Sequence, residues 1–132
     1  MARPPALDDS SHEDSVELIL PARTQHAATI RVLIASLGAD VGLTLDEIDD
    51  LRLAVTEVFM SAASADGADR FSASLLAAPG RLEVRMFAIG PHPLALDALA
   101  ETILEAVVDV EVAAGTITLA KTATELGEAT NA

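Results

Sequence analysis

The sequence lacks cysteine, tryptophan and tyrosine, and its 132 residues include only 3 phenylalanines. Without cysteine there can be no disulfide, thiolate zinc site, iron–sulfur cluster or cysteine nucleophile. The 3 histidines, His12, His26 and His92, have no second ligand at helical or hairpin spacing, so no metal site is expected. With so few aromatic residues, the core has to be built from Leu, Val, Ile and Ala.

Positive charge is also scarce, because 8 Lys and Arg residues stand against 21 Asp and Glu residues, for a net charge of -13. Such a surface repels polyanions, so nucleic acid is not an expected partner. The apolar runs are shorter than the ~20 residues of a membrane span. Residues 1–15 are polar and acidic, unlike a signal peptide. We therefore expect a cytoplasmic protein without a membrane partner.

The length fits one domain. Residues 1–14 and 125–132 are acidic or polar with little to bury, which predicts disordered tails on either side of a domain at 15–124. Within the domain, hydrophobic periodicity and turn signals predict the order β-α-α-β-β-α-β-β. The predicted elements are Val16–Leu20, Thr24–Val41, Thr44–Ser64, Phe71–Ala77, Leu82–Ile89, Leu94–Val108, Asp109–Val112 and Thr116–Thr122.

This order predicts an α+β fold, a two-layer sandwich in which helices cover one face of a mixed, mainly antiparallel sheet. Pro79 and Gly80 mark the turn of the first hairpin, and Gly115 marks the turn of the closing hairpin. In the third helix, five apolar residues fall on one side: Leu96, Leu99, Ile103, Leu104 and Val107.

The second helix carries the strongest local signal. Thr44 and Glu47 form a capping box, in which each side chain satisfies a backbone amide of the other residue. The neighbouring acids complement the positive end of the helix, so we interpret them as capping and solvated charges: Asp46, Glu47, Asp49 and Asp50. Glu57 lies opposite the apolar face and Ser61 follows one turn later, so that this side could border a cleft.

The segment Val16–Thr122 resembles the anti-sigma factor and serine-protein kinase family of bacterial partner switching, which belongs to the GHKL, or Bergerat-fold, ATPases. The likeness is carried by the capped helix from Thr44 to Glu57, by Ile30-Arg31-Val32 in the first helix, and by Gly115-Thr116 in the closing hairpin. The resemblance implies the Bergerat sandwich. It also implies that Arg31 faces a protein partner.

In that family the N-box, E-x-x-x-N, contributes to the nucleotide site. The resemblance places Glu57 at its glutamate, which orients or activates the attacking hydroxyl, and Ser61 at the asparagine that holds Mg²⁺. Because serine is shorter than asparagine, its reach to a metal is reduced. Glu57 is a catalytic candidate only if the protein is an active kinase.

The segments at the positions of the family's glycine boxes differ from the family pattern more than the N-box does. The aspartate that reads the adenine amino group falls on Ala88, and of that box's glycines only Gly90 is present, since the second falls on His92. The next glycine box falls on Ala98–Ala100. Alanine cannot accept the adenine hydrogen bond, so ATP binding is expected to be weak or absent. The expected remnants of the nucleotide boxes are Glu57, Ser61, Gly90, Gly115 and Thr116.

Three functions remain open. The first is a transcription regulator that binds a sigma factor, with a STAS-domain antagonist competing for it, a homodimeric state and no cofactor. The second is an active serine-protein kinase that phosphorylates such an antagonist, with ATP and Mg²⁺ as cofactors and Glu57 as base. The third is a small structural or oligomerisation domain with an incidental resemblance.

Overall fold

The computed structural model describes residues 14–64, 69–91 and 94–124. The tails predicted at 1–14 and 125–132 lie outside these ranges, apart from Asp14, which opens the first strand. A short 3-10 helix at Thr24–His26 follows that strand. The strands are β1 Asp14–Pro21, β2 Arg70–Ala78, β3 Arg81–Ile89, β4 Asp109–Ala113 and β5 Thr116–Thr122; the helices are α1 Ala27–Val41, α2 Leu45–Ser64 and α3 Ala98–Val107.

The strands form a five-stranded sheet in the order β1-β2-β3-β5-β4. Each neighbouring pair is antiparallel. The predicted element order and the two-layer α+β sandwich are confirmed. The sheet is antiparallel throughout the described strands rather than mixed, because neighbouring strands are joined by tight hairpins or by connections that reverse the chain.

Two tight turns set the register of the hairpins. Ala78 pairs with Arg81 across Pro79-Gly80, and Ala113 pairs with Thr116 across the second turn. That second turn places Ala114 at φ 52° and Gly115 at φ 84°, the two positive angles of a type I′ turn. Gly115 thus has a conformational role of its own, because glycine adopts this φ without steric cost.

The core lies between the sheet and its helices and is mainly aliphatic, as the composition predicts. Alternate residues of β2 are buried, starting with Phe71, whose ring meets that of Phe59 edge to face at 5.0 Å. Helix α1 approaches α2 closely at Gly38, where an added Cβ would lie 2.8 Å from Ile48 Cγ1. Other fully buried side chains include Ile34, Leu51, Leu75, Leu82, Leu104, Ile117 and Leu119.

Helix α3 begins four residues later than predicted. Asp97 is its N-cap, with Oδ1 accepting a hydrogen bond from Ala100 N at 2.7 Å, and Leu94 is buried ahead of the helix. The predicted apolar side is only partly buried. Leu104 is inaccessible to solvent, whereas Leu99 is 71% exposed and Ile103 is 42% exposed.

The start of α2 is more deeply integrated than predicted. The capping box is confirmed, with Thr44 N donating to Glu47 Oε1 at 2.8 Å and Glu47 N donating to Thr44 Oγ1 at 3.1 Å. Glu47 is nevertheless buried, and its Oε2 accepts from Thr124 N at 2.9 Å. Asp50 receives Lys121 Nζ at 2.9 Å. The capping role of Glu47 is confirmed, but its carboxylate is buried rather than solvated, whereas Asp50 is partly exposed and forms an ion pair.

The environment of Glu47 changes its pKa. Burial raises this pKa, but the hydrogen bonds from Thr44 and Thr124 outweigh the effect of burial and hold the pKa below its usual value.

No helix in the described ranges has both the length and the apolar character to traverse a bilayer.

Candidate functional site

Helix α2 carries the first two residues of the predicted site, Glu57 and Ser61. Both are half-buried, and they are separated by one helical turn. The start of α2 is bound to the end of β5 through the Asp50–Lys121 and Glu47–Thr124 contacts. The second half of α2 therefore extends towards the opposite end of the sheet.

The aromatic contact between α2 and β2 fixes which end this is. Phe59, two residues after Glu57, packs on Phe71, and Phe71 pairs with Ala88 near the end of β3. Gly90 follows directly after that strand. Glu57 and Ser61 therefore lie at the same end of the sandwich as Ala88 and Gly90.

The closing hairpin reaches this end as well. Because Ile117 pairs with Met86, the preceding Gly115 and Thr116 lie beside the last residues of β3. Thr116 is half-buried and Gly115 is in the turn. The fold thus brings the five predicted nucleotide-box residues to one end of the sandwich. His92, which stands at the position of the second glycine of that box, is outside the described residues.

The N-terminus of α3 occupies the positions that the resemblance assigns to a further glycine box. The amide of Ala100 is already bound by Asp97 Oδ1, and Glu101 adds a second carboxylate to the first turn. A helix N-terminus attracts anions because its amides are free and its dipole is positive. Here the chain's own Asp97 carboxylate occupies that position.

A cavity of about 400 Å³ lies between α1 and α2, and none of the five predicted nucleotide-box residues is in its lining. We call it the α1–α2 groove, and define it by its lining residues: Arg31, Asp49, Arg52, Leu53 and Thr56. Arg52 Nη1 donates to Asp49 Oδ1 at 3.3 Å. Arg52 Nε and Thr56 Oγ1 are buried and have no hydrogen-bond partner in the described part of the chain.

The sequence indicates Arg31 as a candidate residue, but it does not indicate Arg52 or Thr56. A signal was present, since Arg52 and Thr56 are four residues apart and must share a helix face. Their relation to Arg31 depends on how α1 packs against α2, which no local pattern specifies. The structure therefore places Arg31 in a groove with a second arginine.

Another cavity, of about 320 Å³, lies beside Lys121 and the end of α3. Its cation is already neutralised, because Lys121 Nζ donates to Asp50 Oδ2 and to the carbonyl oxygen of Val107. Within residues 14–64, 69–91 and 94–124, no three His, Cys, Asp or Glu residues are grouped so as to hold a metal ion.

Comparison with known proteins finds sequence similarity to two curated relatives. The chain is 33% identical over 52 residues to serine-protein kinase RsbW of Bacillus subtilis, covering 39% of this chain and 32% of that protein. It is 30% identical over 53 residues to serine-protein kinase RsbW of Bacillus velezensis, covering 40% of this chain and 33% of that protein. The chain thus spans about a third of the length of the curated relatives it matches.

A solved structure is similar in fold. It is the crystal structure of the RsbU and RsbW domains of a Mycobacterium tuberculosis protein, with a TM-score of 0.56 and 21% identity. The likeness covers 83% of this chain and 32% of that chain. No protein-family model matches. These findings confirm the resemblance to the anti-sigma factor and serine-protein kinase family and the fold it implied.

Proposed function

We propose that this protein is a transcription regulator that binds a sigma factor by protein–protein contact, with a nucleotide site that has lost its function. The proposal rests on a contrast between the fold, which matches the family, and the expected phosphate-binding residues, which differ from it. The capped helix α2 presents Glu57 at the expected end of the sandwich, while Asp97 occupies the N-terminus of α3.

The residues present do not fit a magnesium nucleotide. Ala88 offers no side-chain acceptor to an adenine amino group, and the hydroxyl of Ser61 is a shorter and weaker Mg²⁺ ligand than an asparagine amide oxygen. The carboxylate of Asp97 binds an amide that phosphate would need, and Glu101 adds negative charge to the same helix turn. A tetra-anionic nucleotide would also approach a chain of net charge -13.

Overall charge supports a sigma factor as the partner. Sigma factors have basic DNA-binding surfaces, and opposite fields accelerate encounter and orient the partners. Arg31, exposed on α1, is the proposed partner-binding residue. A competing STAS-domain antagonist, a homodimeric state and a cytoplasmic location complete the proposal, and they rest on the resemblance.

An active serine-protein kinase is the second candidate. It is favoured by the curated relatives, both described as serine-protein kinases, and by the presence of glutamate at position 57. In that function Glu57 would orient or deprotonate the attacking serine hydroxyl of an antagonist. The two candidates differ in whether a nucleotide binds, so they can be separated directly.

Binding assays with purified sigma factors from the same genome test the proposal. We expect one of them to bind, and Arg31→Glu to raise its Kd at least about tenfold. Arg70→Glu is the matched control, because Arg70 is also exposed but precedes the buried Phe71 and therefore faces away from the helices. Failure of every sigma factor to bind would contradict the proposal.

A nucleotide titration decides between the two candidates. A site with a Kd of about 100 μM would stabilise the fold by about 1.4 kcal/mol at 1 mM ligand. We expect no thermal shift with 1 mM ATP and Mg²⁺. A shift together with phosphate transfer to a STAS-domain protein, abolished in Glu57→Ala, would establish the kinase instead.

A further inference from the structure

Strand β4 lies at one edge of the sheet and, among the described strands, has β5 as its single neighbour. In an antiparallel ladder, the pair that closes a two-residue turn is hydrogen-bonded, and bonded and non-bonded pairs then alternate. Ala113 closes the turn with Thr116, so Glu111 also bonds to β5. The backbone N–H and C=O groups of Val110 and Val112 therefore point away from β5, along the free edge.

The side chains of β4 alternate between apolar and acidic residues. Val112 pairs with the buried Ile117, so Val110 and Val112 are on the face of the sheet that the helices cover. This cover is incomplete at the edge, because Val112 is 44% exposed. Asp109 and Glu111 are exposed on the opposite face. A strand added at this edge would meet apolar side chains on one face and carboxylates on the other.

The two carboxylates line a shallow depression of about 150 Å³ on the open face of the sheet. Glu83 also lines it, but this carboxylate is already paired with Arg81 and Arg85. The side chains of Asp109 and Glu111 make no hydrogen bond or ion pair in the described part of the chain. The depression therefore has uncompensated negative charge, which suits the long side chain of a lysine or arginine.

This charge pattern decides what can pair with β4. A second copy of the strand, paired antiparallel through the same edge, would bring carboxylates beside carboxylates, which is unfavourable. The ends of this chain are also acidic: residues 125–132 include two glutamates and no basic residue, and residues 1–13 include one arginine and three acids. Lysine and proline, which protect many edge strands from other chains, are absent from β4. A basic strand is thus the favoured occupant.

We propose that the free edge of β4 binds an extended segment of a protein partner by strand addition, and that basic and apolar residues alternate in this segment. Backbone hydrogen bonds to Val110 and Val112 supply affinity, and basic side chains beside Asp109 and Glu111 supply specificity. This surface shares no residue with the nucleotide boxes and does not include Arg31, so the inference goes beyond the proposed function and does not depend on it.

The direct test uses the full chain labelled with ¹⁵N and two blocked peptides, acetyl-Lys-Val-Lys-Val-Lys-amide and acetyl-Glu-Val-Glu-Val-Glu-amide. In the free protein, we expect the amides of Val110 and Val112 to exchange with solvent faster than that of Glu111. Saturating lysyl peptide should slow exchange at the two valine amides at least about tenfold. The glutamyl peptide should bind at least about tenfold more weakly. No saturable change at the two valine amides would overturn the proposal.

A methylated peptide separates strand addition from simple attraction of charges. Methyl groups on the backbone nitrogens of the three central residues of the lysyl peptide retain its side chains and net charge but remove its backbone donors. We expect this peptide to leave exchange at Val110 and Val112 unchanged. Binding as tight as that of the parent peptide would show that charge alone acts, and would overturn strand addition.

Variants of the protein test the edge and the charge separately. Val112→Pro removes an outward N–H without breaking a bond to β5, and Glu111→Lys reverses one charge. We expect each to weaken binding of the lysyl peptide at least about fivefold. Glu17→Lys should leave binding unchanged, because Glu17 is an exposed acid on β1 at the other edge of the sheet. Melting curves show that each variant is folded. A folded Glu111→Lys protein with wild-type affinity for the peptide would contradict the inference.

Pairing between two copies of the chain has its own signature. If the amides of Val110 and Val112 are protected in the concentrated free protein and lose this protection on dilution, β4 pairs with a second copy and the proposal fails. Fast exchange at both amides at every concentration, followed by protection with the lysyl peptide, would support a basic partner strand.

Discussion

The two halves of α2 are held in the protein by different forces. At the first half, a polar network links Glu47 to Thr124 and Asp50 to Lys121. At the second half, Phe59 packs on Phe71, while the side chains of Glu57 and Ser61 make no hydrogen bond or ion pair within the described residues. Carboxylates of the same helix therefore contribute to stability at one end and remain available for other contacts at the opposite end.

The largest effect is expected at the apolar half. Phe59→Ala removes a fully buried ring and its edge-to-face contact with Phe71, so we expect the free energy of unfolding to fall by about 3–5 kcal/mol. Phe87→Ala is the matched control, because Phe87 is 43% exposed and should cost less than half as much. Urea denaturation measures both; equal losses would mean that packing does not anchor this half.

The polar half should lose less. Glu47→Ala removes the capping partner of Thr44 N and the acceptor of Thr124 N, so we expect a loss of about 2–3 kcal/mol by urea denaturation. Asp46→Ala, which changes an exposed acid in the same turn, provides the control. A loss no greater than that of the control would show that the buried carboxylate contributes no net stability.

The lowered pKa of Glu47 predicts how this contribution depends on pH. A carboxyl group with a folded-state pKa below its unfolded value adds stability above the unfolded value of about 4.3 and loses it as pH falls through the folded pKa. We therefore expect the stability difference between wild type and Glu47→Gln to be greatest near neutral pH and to shrink below about pH 4. A difference that is constant from pH 7 to pH 3 would contradict this.

The ion pair between Lys121 and Asp50 should matter less than Glu47. The side chains are 20% and 38% exposed, so solvent screens their attraction. We expect Lys121→Met to lower stability by about 0.5–1 kcal/mol, measured by urea denaturation at low salt. The loss should become smaller in 1 M NaCl; an unchanged loss would point to the bond with the Val107 carbonyl instead.

Sequence patterns predicted the parts of this helix that depend on neighbours in the chain. The capping box joins residues three positions apart, and the hairpin turns are specified by Pro79, Gly80 and Gly115, so local rules were sufficient. The long-range contacts were missed, because Glu47 and Thr124 are 77 positions apart. Hydrophobic periodicity in the sequence does not show which strand will end beside the N-terminus of a given helix.

The candidate site follows the same division. Glu57 and Ser61 lie one turn apart on a single helix, so their spacing was predicted from the sequence, and the resemblance assigned them to the N-box. The α1–α2 groove was not, because the position of Arg31 relative to Arg52 depends on the close approach of the two helices at Gly38. The helices can approach because Gly38 has no side chain at the point where Ile48 packs. This match between residues of two helices is evident only in the folded structure.

The smallest effect is expected from Glu57. Because its carboxylate has no partner in the described residues and is half-buried, Glu57→Gln should change the free energy of unfolding by less than about 0.5 kcal/mol in urea. The same charge removal at Glu47→Gln should cost clearly more, since the neutral amide accepts weaker hydrogen bonds from the amides of Thr44 and Thr124. The pair of variants thus compares two glutamates ten residues apart on one helix. Equal losses would show that Glu57 is structural, and the division of α2 into a stabilising half and an available half would have to be abandoned.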